Sequence, residues 1–192
     1  MTCIIVMGCF RSGTSAVAGA LHHLGVFMGN QFDPPNNNNP KGFWEDLEFK
    51  ALHAAYEDYQ SDSYDKGSDL DAIYKQLIFK REAEHALWGV KDPLICKHLN
   101  KLVPNLVDHK LIVCRRPVEE IAASMSKAMG VSDHKWLLPL AQSYVDELNL
   151  SLSSYSGPVL EVQKTDNMLQ VLEPICEFVG LPSNQAAVDF LS

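Results

Sequence analysis

Gly8-Cys9-Phe10-Arg11-Ser12-Gly13-Thr14-Ser15 comes directly after the apolar run Cys3-Ile4-Ile5-Val6-Met7. The glycines permit positive φ and close backbone approach, so successive N–H groups can turn toward one oxyanion. The spacing is that of a phosphate-cradling loop, but Thr14 stands where that pattern has lysine. Such a lysine reaches the β- and γ-phosphates of a nucleoside triphosphate. Its absence argues against ATP or GTP hydrolysis, while Arg11 supplies a different cation inside the loop. The chemistry indicated is binding of a phosphate or sulfate group. The plainer reading, an ordinary strand-turn-helix corner, leaves Arg11 and the paired hydroxyls without a use.

Thr14 and Ser15 open a helix. Val17, Ala20, Leu21 and Leu24 fall at helical spacing as its buried stripe, which directs the positive end of the helix dipole at the loop. Strand-like apolar runs at 3–7, 87–91, 111–114 and 159–162 alternate with helical patterns at 44–59, 69–86, 117–129, near 134–151, and at 168–179. That alternation predicts an α/β fold with a parallel sheet and flanking helices; together with the loop at 8–15 it resembles the three-layer fold of the P-loop nucleoside triphosphate hydrolases. Ligands are then expected at the carboxyl ends of the strands. Residues 29–42, rich in Pro and Asn, read as a long loop near the anion site, either a lid or substrate loop or a simple excursion. A second polar break spans 60–68, and no internal repeat is seen.

The length of 192 residues suits one domain, 1–192, with a sizeable core. No apolar run approaches the roughly 20 residues that span a bilayer, and the first strand begins too near Met1 to come after a signal peptide. The five cysteines are scattered and odd in number, as expected of reduced thiols in a cytoplasmic protein. Cys9 reads as a small filler or a reactive thiol, and the adjacent His22 and His23 diverge around a helix rather than forming a metal site. A net charge of −8 counts against a nucleic-acid partner and against a strongly anionic polymer as substrate. A small anionic cofactor needs only local cations, which Arg11, Arg115 and Arg116 can provide.

Arg11-Ser12-Gly13-Thr14-Ser15 resembles the 5′-phosphosulfate loop of the sulfotransferases that use 3′-phosphoadenosine 5′-phosphosulfate. Four further segments resemble blocks of bacterial-type members of that family, in the same order: 39–46 (Asn-Pro-Lys-Gly-Phe-Trp-Glu-Asp), 88–93 (Trp-Gly-Val-Lys-Asp-Pro), 111–117 leading to Ser124, and 176–182. The resemblance covers nearly the whole chain and implies transfer of a sulfuryl group to a hydroxyl or amine on a small-molecule or lipid-like acceptor. It implies adenosine 3′,5′-bisphosphate as product and no metal. A non-catalytic nucleotide-binding module of the same fold is the alternative, and a P-loop kinase a weaker one. Many family members close over the 3′-phosphate with a basic segment near the carboxyl end. This sequence has none after Gly180-Leu181-Pro182, so cofactor affinity is expected to be weak unless a second chain completes the site, and the loss of turnover is open.

By the same resemblance the cofactor would be held by Arg11, Ser12, Gly13, Thr14 and Ser15 at its 5′ end, with Arg11 also stabilising charge on the sulfuryl oxygens. Arg116 and Ser124 match the pair that holds the 3′-phosphate. With Pro117 as the register mark, Arg115 matches instead. An acceptor must lose a proton, and Glu45 is the carboxylate placed for that work, although with Asp46 it would equally suit the start of a helix. Should Glu45 only cap, the base is sought at His53 or Lys91. Lys91 is the third catalytic candidate, at a strand end before Asp92-Pro93, where a capped turn is the plainer reading. Trp44 and Trp88 either stack on adenine or acceptor or pack in the core.

Overall fold

A computed structural model describes residues 1–57 and 69–192. The polar break expected at 60–68 lies outside them. Four strands, β1 (Thr2–Gly8), β2 (Leu87–Lys91), β3 (His109–Arg115) and β4 (Val159–Gln163), form one parallel sheet in the order β2-β1-β3-β4. The central strand β1 is buried on both faces and so reads as a continuous apolar run, not an alternating one.

Successive β1 side chains point to opposite faces, and this divides the core in two. Ile4 and Val6, with Ile112, Cys114 and Val162, pack against α1 (Thr14–His23), α7 (Leu172–Val179) and α8 (Gln185–Leu191). Cys3, Ile5 and Met7, with Val90, Leu111 and Val113, pack against α2 (Leu47–Tyr56), α3 (Leu70–Glu84), α4 (Ile95–Leu102) and α6 (Leu138–Ser153). The result is the three-layer parallel architecture expected from the sequence. A third cluster joins Cys9 to Ile121 and Ala122 of α5 (Val118–Met129) and to Ala141 of α6, and so anchors the loop after β1. Among the described residues no helix is long and apolar enough to cross a membrane.

The register Val6↔Lys91, Gly8↔Cys114 and Arg115↔Gln163 aligns the four carboxyl ends along one edge. From β1 the chain turns to β2 on one side, and from β3 to β4 on the other. A crevice therefore opens between the ends of β1 and β3, the switch point where open α/β sheets bind ligands.

Several boundaries differ from the sequence reading. The helix expected over 44–59 begins at Leu47, because Trp44 is left-handed at φ 59 and Asp46 caps the helix, its side chain accepting from the Glu48 N–H at 3.0 Å. Two short helices, α4 and α8, were not expected. The first follows a turn in which the Asp92 carboxylate accepts from the Leu94 N–H at 2.9 Å, and the second is capped by Asn184, which accepts from the Ala187 N–H at 2.9 Å. The 29–42 stretch is preceded by a segment that runs beside β2, where the Gly89 N–H donates to Phe27 O at 2.8 Å. It then folds into a turn in which Asn36 Oδ1 accepts from the N–H groups of Asn38 (2.9 Å) and Asn39 (3.0 Å).

Candidate active site

The loop after β1 is built on close approach. A Cβ at Gly8 would lie 2.6 Å from Cys114 O on the neighbouring strand, so only glycine lets β1 and β3 come this close here. Ser12 closes the turn by donating from its hydroxyl to Cys9 O at 2.6 Å. Its 1% exposure removes it from the ligand-binding set proposed for it: its hydroxyl is spent inside the loop. Arg11 (φ 67) and Gly13 (φ 93) are both left-handed, and Gly13 is the N-cap of α1 with no side-chain cap. The first amides of a helix have no carbonyl a turn earlier to bond, so those of Thr14 and Ser15 are left for a ligand at the positive end of the dipole.

Each strand of the sheet sends one cation into a shared cleft at this end of the molecule. Arg11 lies just past β1, Lys91 ends β2, Arg116 lies just past β3 and Lys164 just past β4, and all four line one cleft of about 220 Å³ with Thr14, Ser15, Glu45 and Ser124. Arg11 donates from Nε to Ser124 Oγ (3.1 Å) and from Nη2 to Asn38 O (3.1 Å). Arg116 donates from Nη1 to Arg11 O (2.8 Å) and from Nε to Glu120 (3.1 Å). Partial burial, and then the nearby charge of Arg116, lower the pKa of Arg11. Two guanidinium groups crowded together with no carboxylate on Arg11 among the described residues make a site that an anion would relieve. A second recess of about 440 Å³ shares Arg11, Asn38, Arg116 and Ser124 with the first and adds Lys127.

Lys91 is 3% exposed and donates to Glu45 Oε1 (2.6 Å), Phe43 O (3.1 Å) and Ser15 Oγ (3.3 Å). Its ammonium thus joins the anion loop to the carboxylate. Glu45 is 7% exposed, and its other oxygen lies 3.4 Å from Lys50 Nζ. Capping of α2 falls to Asp46, which also pairs with Arg81 at 2.7 Å. Glu45 is therefore free of the helix terminus and faces the cleft.

Behind the Asp92-Pro93 turn lies a buried relay. His53, fully buried, bonds Asp92 through Nδ1 (2.8 Å) and Tyr74 through Nε2 (2.9 Å), and its ring stacks on His98. Both nitrogens are committed away from the cleft, so His53 is corrected from a fallback base to a support for the turn that carries Lys91. Burial works to raise the pKa of Asp92, but the hydrogen bond and charge of His53, the Leu94 N–H and the charge of Lys91 together lower it.

His98 is 5% exposed, and burial, then the charge of His53, push its pKa down to about 4. In the unfolded chain the same ring binds its proton near 6.5. Unfolding therefore takes up a proton between these values, and stability is lost as pH falls from about 6.5 to about 4, by roughly 3 kcal/mol. The thermal midpoint is expected to drop over that window, and His98→Gln to flatten part of the drop. An unchanged pH slope in the variant would contradict this assignment. The Asp92 contribution is separable, because it is lost only below the ordinary carboxylate range.

Arg115 is not brought to the cleft. It pairs with Glu161 on β4 (2.9 Å) and donates to Asn149 on α6 (2.6 Å). Trp88 is fully buried against Phe49, and Trp44 donates to Lys41 O (2.9 Å) within a cluster of His22, His23, Phe32 and Phe190, so both pack with other rings and neither lines the cleft. Cys9 is buried against Ile121 and Ala122, as a small filler would be, and burial pushes its thiol up to about 12. Lys164, Asn38 and Asn39 were missed. Asn39 donates to Ser15 Oγ at 3.1 Å. Lys164 did carry a signal, since it stands one residue past the fourth strand just as the other cations stand at the ends of theirs.

The fold is shared with solved structures. Sulfotransferase STF1 from Mycobacterium tuberculosis H37Rv matches with a TM-score of 0.58 at 17% identity, over 98% of this chain and 70% of that one. Sulfotransferase STF9 from Mycobacterium avium matches with a TM-score of 0.56 at 13% identity, over 98% of this chain and 66% of that one. A sugar kinase from Janibacter sp. HTCC2649 matches with a TM-score of 0.57 at 17% identity, over 94% and 95%. No protein-family model matches the sequence, and no curated protein does. At these identities the likeness establishes the fold, a P-loop-like α/β architecture common to sulfotransferases and a kinase.

Proposed function

We propose that this chain is a sulfotransferase that moves a sulfuryl group from 3′-phosphoadenosine 5′-phosphosulfate to a hydroxyl or amine on a small acceptor. The observation that carries the reading is the convergence of Arg11, Lys91, Arg116 and Lys164 on one cleft that also contains a carboxylate, Glu45, beside a loop with threonine in the lysine position. The likeness to two sulfotransferases supports it.

The residues fit such a cofactor. Its two phosphorylated ends call for two adjoining anion sites, and the two recesses share Arg11, Arg116 and Ser124. The Thr14 and Ser15 amides and hydroxyls would hold the 5′-phosphate, and Arg116 with Ser124 the 3′-phosphate. Arg115, tied to Glu161 and Asn149, is left out of that role. When bound, the cofactor supplies an activated sulfuryl group. Arg11, fixed by Ser124 and Asn38, presents donors to developing negative charge, the kind of preorganised contact worth roughly 3–4 kcal/mol. Glu45 accepts the acceptor's proton, and Lys91 orients it while reaching Ser15. Residues 36–39 lie across the cleft and act as its lid.

Arg116→Ala is expected to weaken binding of adenosine 3′,5′-bisphosphate roughly ten- to a hundredfold, the loss of a charge-assisted contact at a part-exposed site, with little effect on adenosine 5′-phosphate. Titration calorimetry on both ligands checks it, and an unchanged preference would return the role to Arg115. The activity itself is tested by supplying the phosphosulfate cofactor with a panel of alcohols and amines and tracking the bisphosphate product. Acceptor-dependent release supports the reading, whereas tight cofactor binding without release across the panel favours the non-catalytic module.

A further inference from the structure

The loop after β1 has no lysine, and the rest of the chain contains a side chain placed to make good the loss. Thr14 occupies the lysine position but is too short to reach across the cleft, and its methyl group turns inward: the residue is 5% exposed, and its Cγ2 lies 3.0 Å from where a Cβ on Gly8 would be. The space over the N-terminus of α1 is therefore left to a residue arriving from elsewhere. Lys164 arrives there. Its backbone is pinned by an N–H bond to Arg115 O (2.8 Å), one residue beyond the last β3–β4 pair, Arg115↔Gln163. Its stem runs across Gly13, so closely that a Cβ on Gly13 would lie 2.7 Å from Lys164 Cδ and 3.5 Å from its Cβ and Cγ. Gly13 is thus required twice, for its positive φ and for the room this stem takes.

The partners of the ammonium make the same point. Lys91 is matched by Glu45, Arg116 by Glu120 and Lys50 by Asp33. Among the described residues Lys164 forms no ion pair, and its Nζ donates only to the carbonyl of the adjacent Thr165. A cation held against the open end of a helix, in the same cleft as Arg11 and without a carboxylate of its own among the described residues, is the arrangement that binds a phosphate or sulfate group.

We propose that Lys164 is an anion-binding residue of this cleft, supplying from the end of β4 the ammonium that Thr14 does not supply from the loop, and that it contacts the group seated on the Thr14 and Ser15 amides. In the sulfotransferase reading, on which this assignment of ligand rests, that group is the 5′-phosphate and not the 3′-phosphate.

The test uses the whole chain and three proteins, wild type, Lys164→Met and Lys164→Arg, titrated calorimetrically at fixed ionic strength with adenosine 5′-phosphate, adenosine 3′-phosphate and inorganic sulfate. Thermal midpoints without ligand confirm that all three fold alike. Lys164→Met is expected to lose roughly tenfold in affinity for adenosine 5′-phosphate and for sulfate, with adenosine 3′-phosphate unaffected and Lys164→Arg restoring most of the loss. Equal affinity of wild type and Lys164→Met for adenosine 5′-phosphate and sulfate would overturn the proposal, as would an equal loss for all three ligands. If wild type binds sulfate but neither nucleotide, the sulfotransferase reading fails while Lys164 is still judged, on sulfate alone.

Discussion

Replacing Glu45 with glutamine is expected to lower turnover by about 10²–10⁴-fold while leaving cofactor binding nearly unchanged. Glutamine keeps an oxygen for Lys91 to donate to but cannot take the acceptor's proton. The geometry sharpens this expectation, because Asp46 caps α2 and so a helix-dipole role for Glu45 no longer competes. What competes is the counter-ion role. Glu45 neutralises the buried Lys91 ammonium at 2.6 Å, and removing its charge is expected to cost about 1–3 kcal/mol of stability whether or not it is the base. Turnover and thermal midpoint measured on one preparation separate the two. A destabilised variant with full activity would make Glu45 a counter-ion only.

Arg11→Ala is expected to reduce turnover by roughly a hundredfold or more, the scale of losing one preorganised donor to developing charge. Folding is expected to survive, since among the described residues the guanidinium bonds only Ser124 Oγ and Asn38 O, and it lies in a part-open cleft. The contact with Asn38 adds a second consequence. Without Arg11 the 36–39 turn keeps its tie from Asn39 to Ser15 but loses one of its bonds across the cleft, so some loss of cofactor affinity accompanies the fall in rate. Unchanged turnover with a working acceptor would remove Arg11 from the reaction.

The sheet was legible in the sequence because its strands are buried on both faces. Ile4-Ile5-Val6 and Leu111-Ile112-Val113 are unbroken apolar runs, and their ends fall within a residue or two of the observed ones. The helices that escaped notice are short and tertiary in origin. The seven-residue α8 comes after Gly180 and Pro182, which read as a stop, and it is held by burying Ala187 and Leu191 against the α1 side of the core. In α4, His98 and Lys101 interrupt the apolar pattern, and burial of His98 in the relay could not be read from spacing.

The candidate site divides in a similar way. Arg11 and Lys91 were legible because each sits where a strand ends. Arg115 and Arg116 are adjacent in sequence but part at the end of β3. The first is still paired within the sheet and turns to Glu161, and the second, just beyond it, turns to the loop. That choice is made by the strand's last hydrogen-bonded residue, which composition does not mark. Glu45 was placed inside α2, which in fact begins two residues after it, an error traced to the left-handed Trp44. Lys164 carries no motif beyond its place one residue past β4, and the register of β4 brings it over Gly13.

The central claim is that this loop, with threonine in place of lysine, serves a bisphosphorylated adenosine and not a nucleoside triphosphate. Calorimetric titration of the wild-type chain with adenosine 3′,5′-bisphosphate and, separately, with ATP in the presence and absence of Mg²⁺ tests it most directly. The expected result is tighter binding of the bisphosphate, indifferent to Mg²⁺. Preferential binding of ATP that requires Mg²⁺ would contradict the account and align the chain with the kinase that shares its fold.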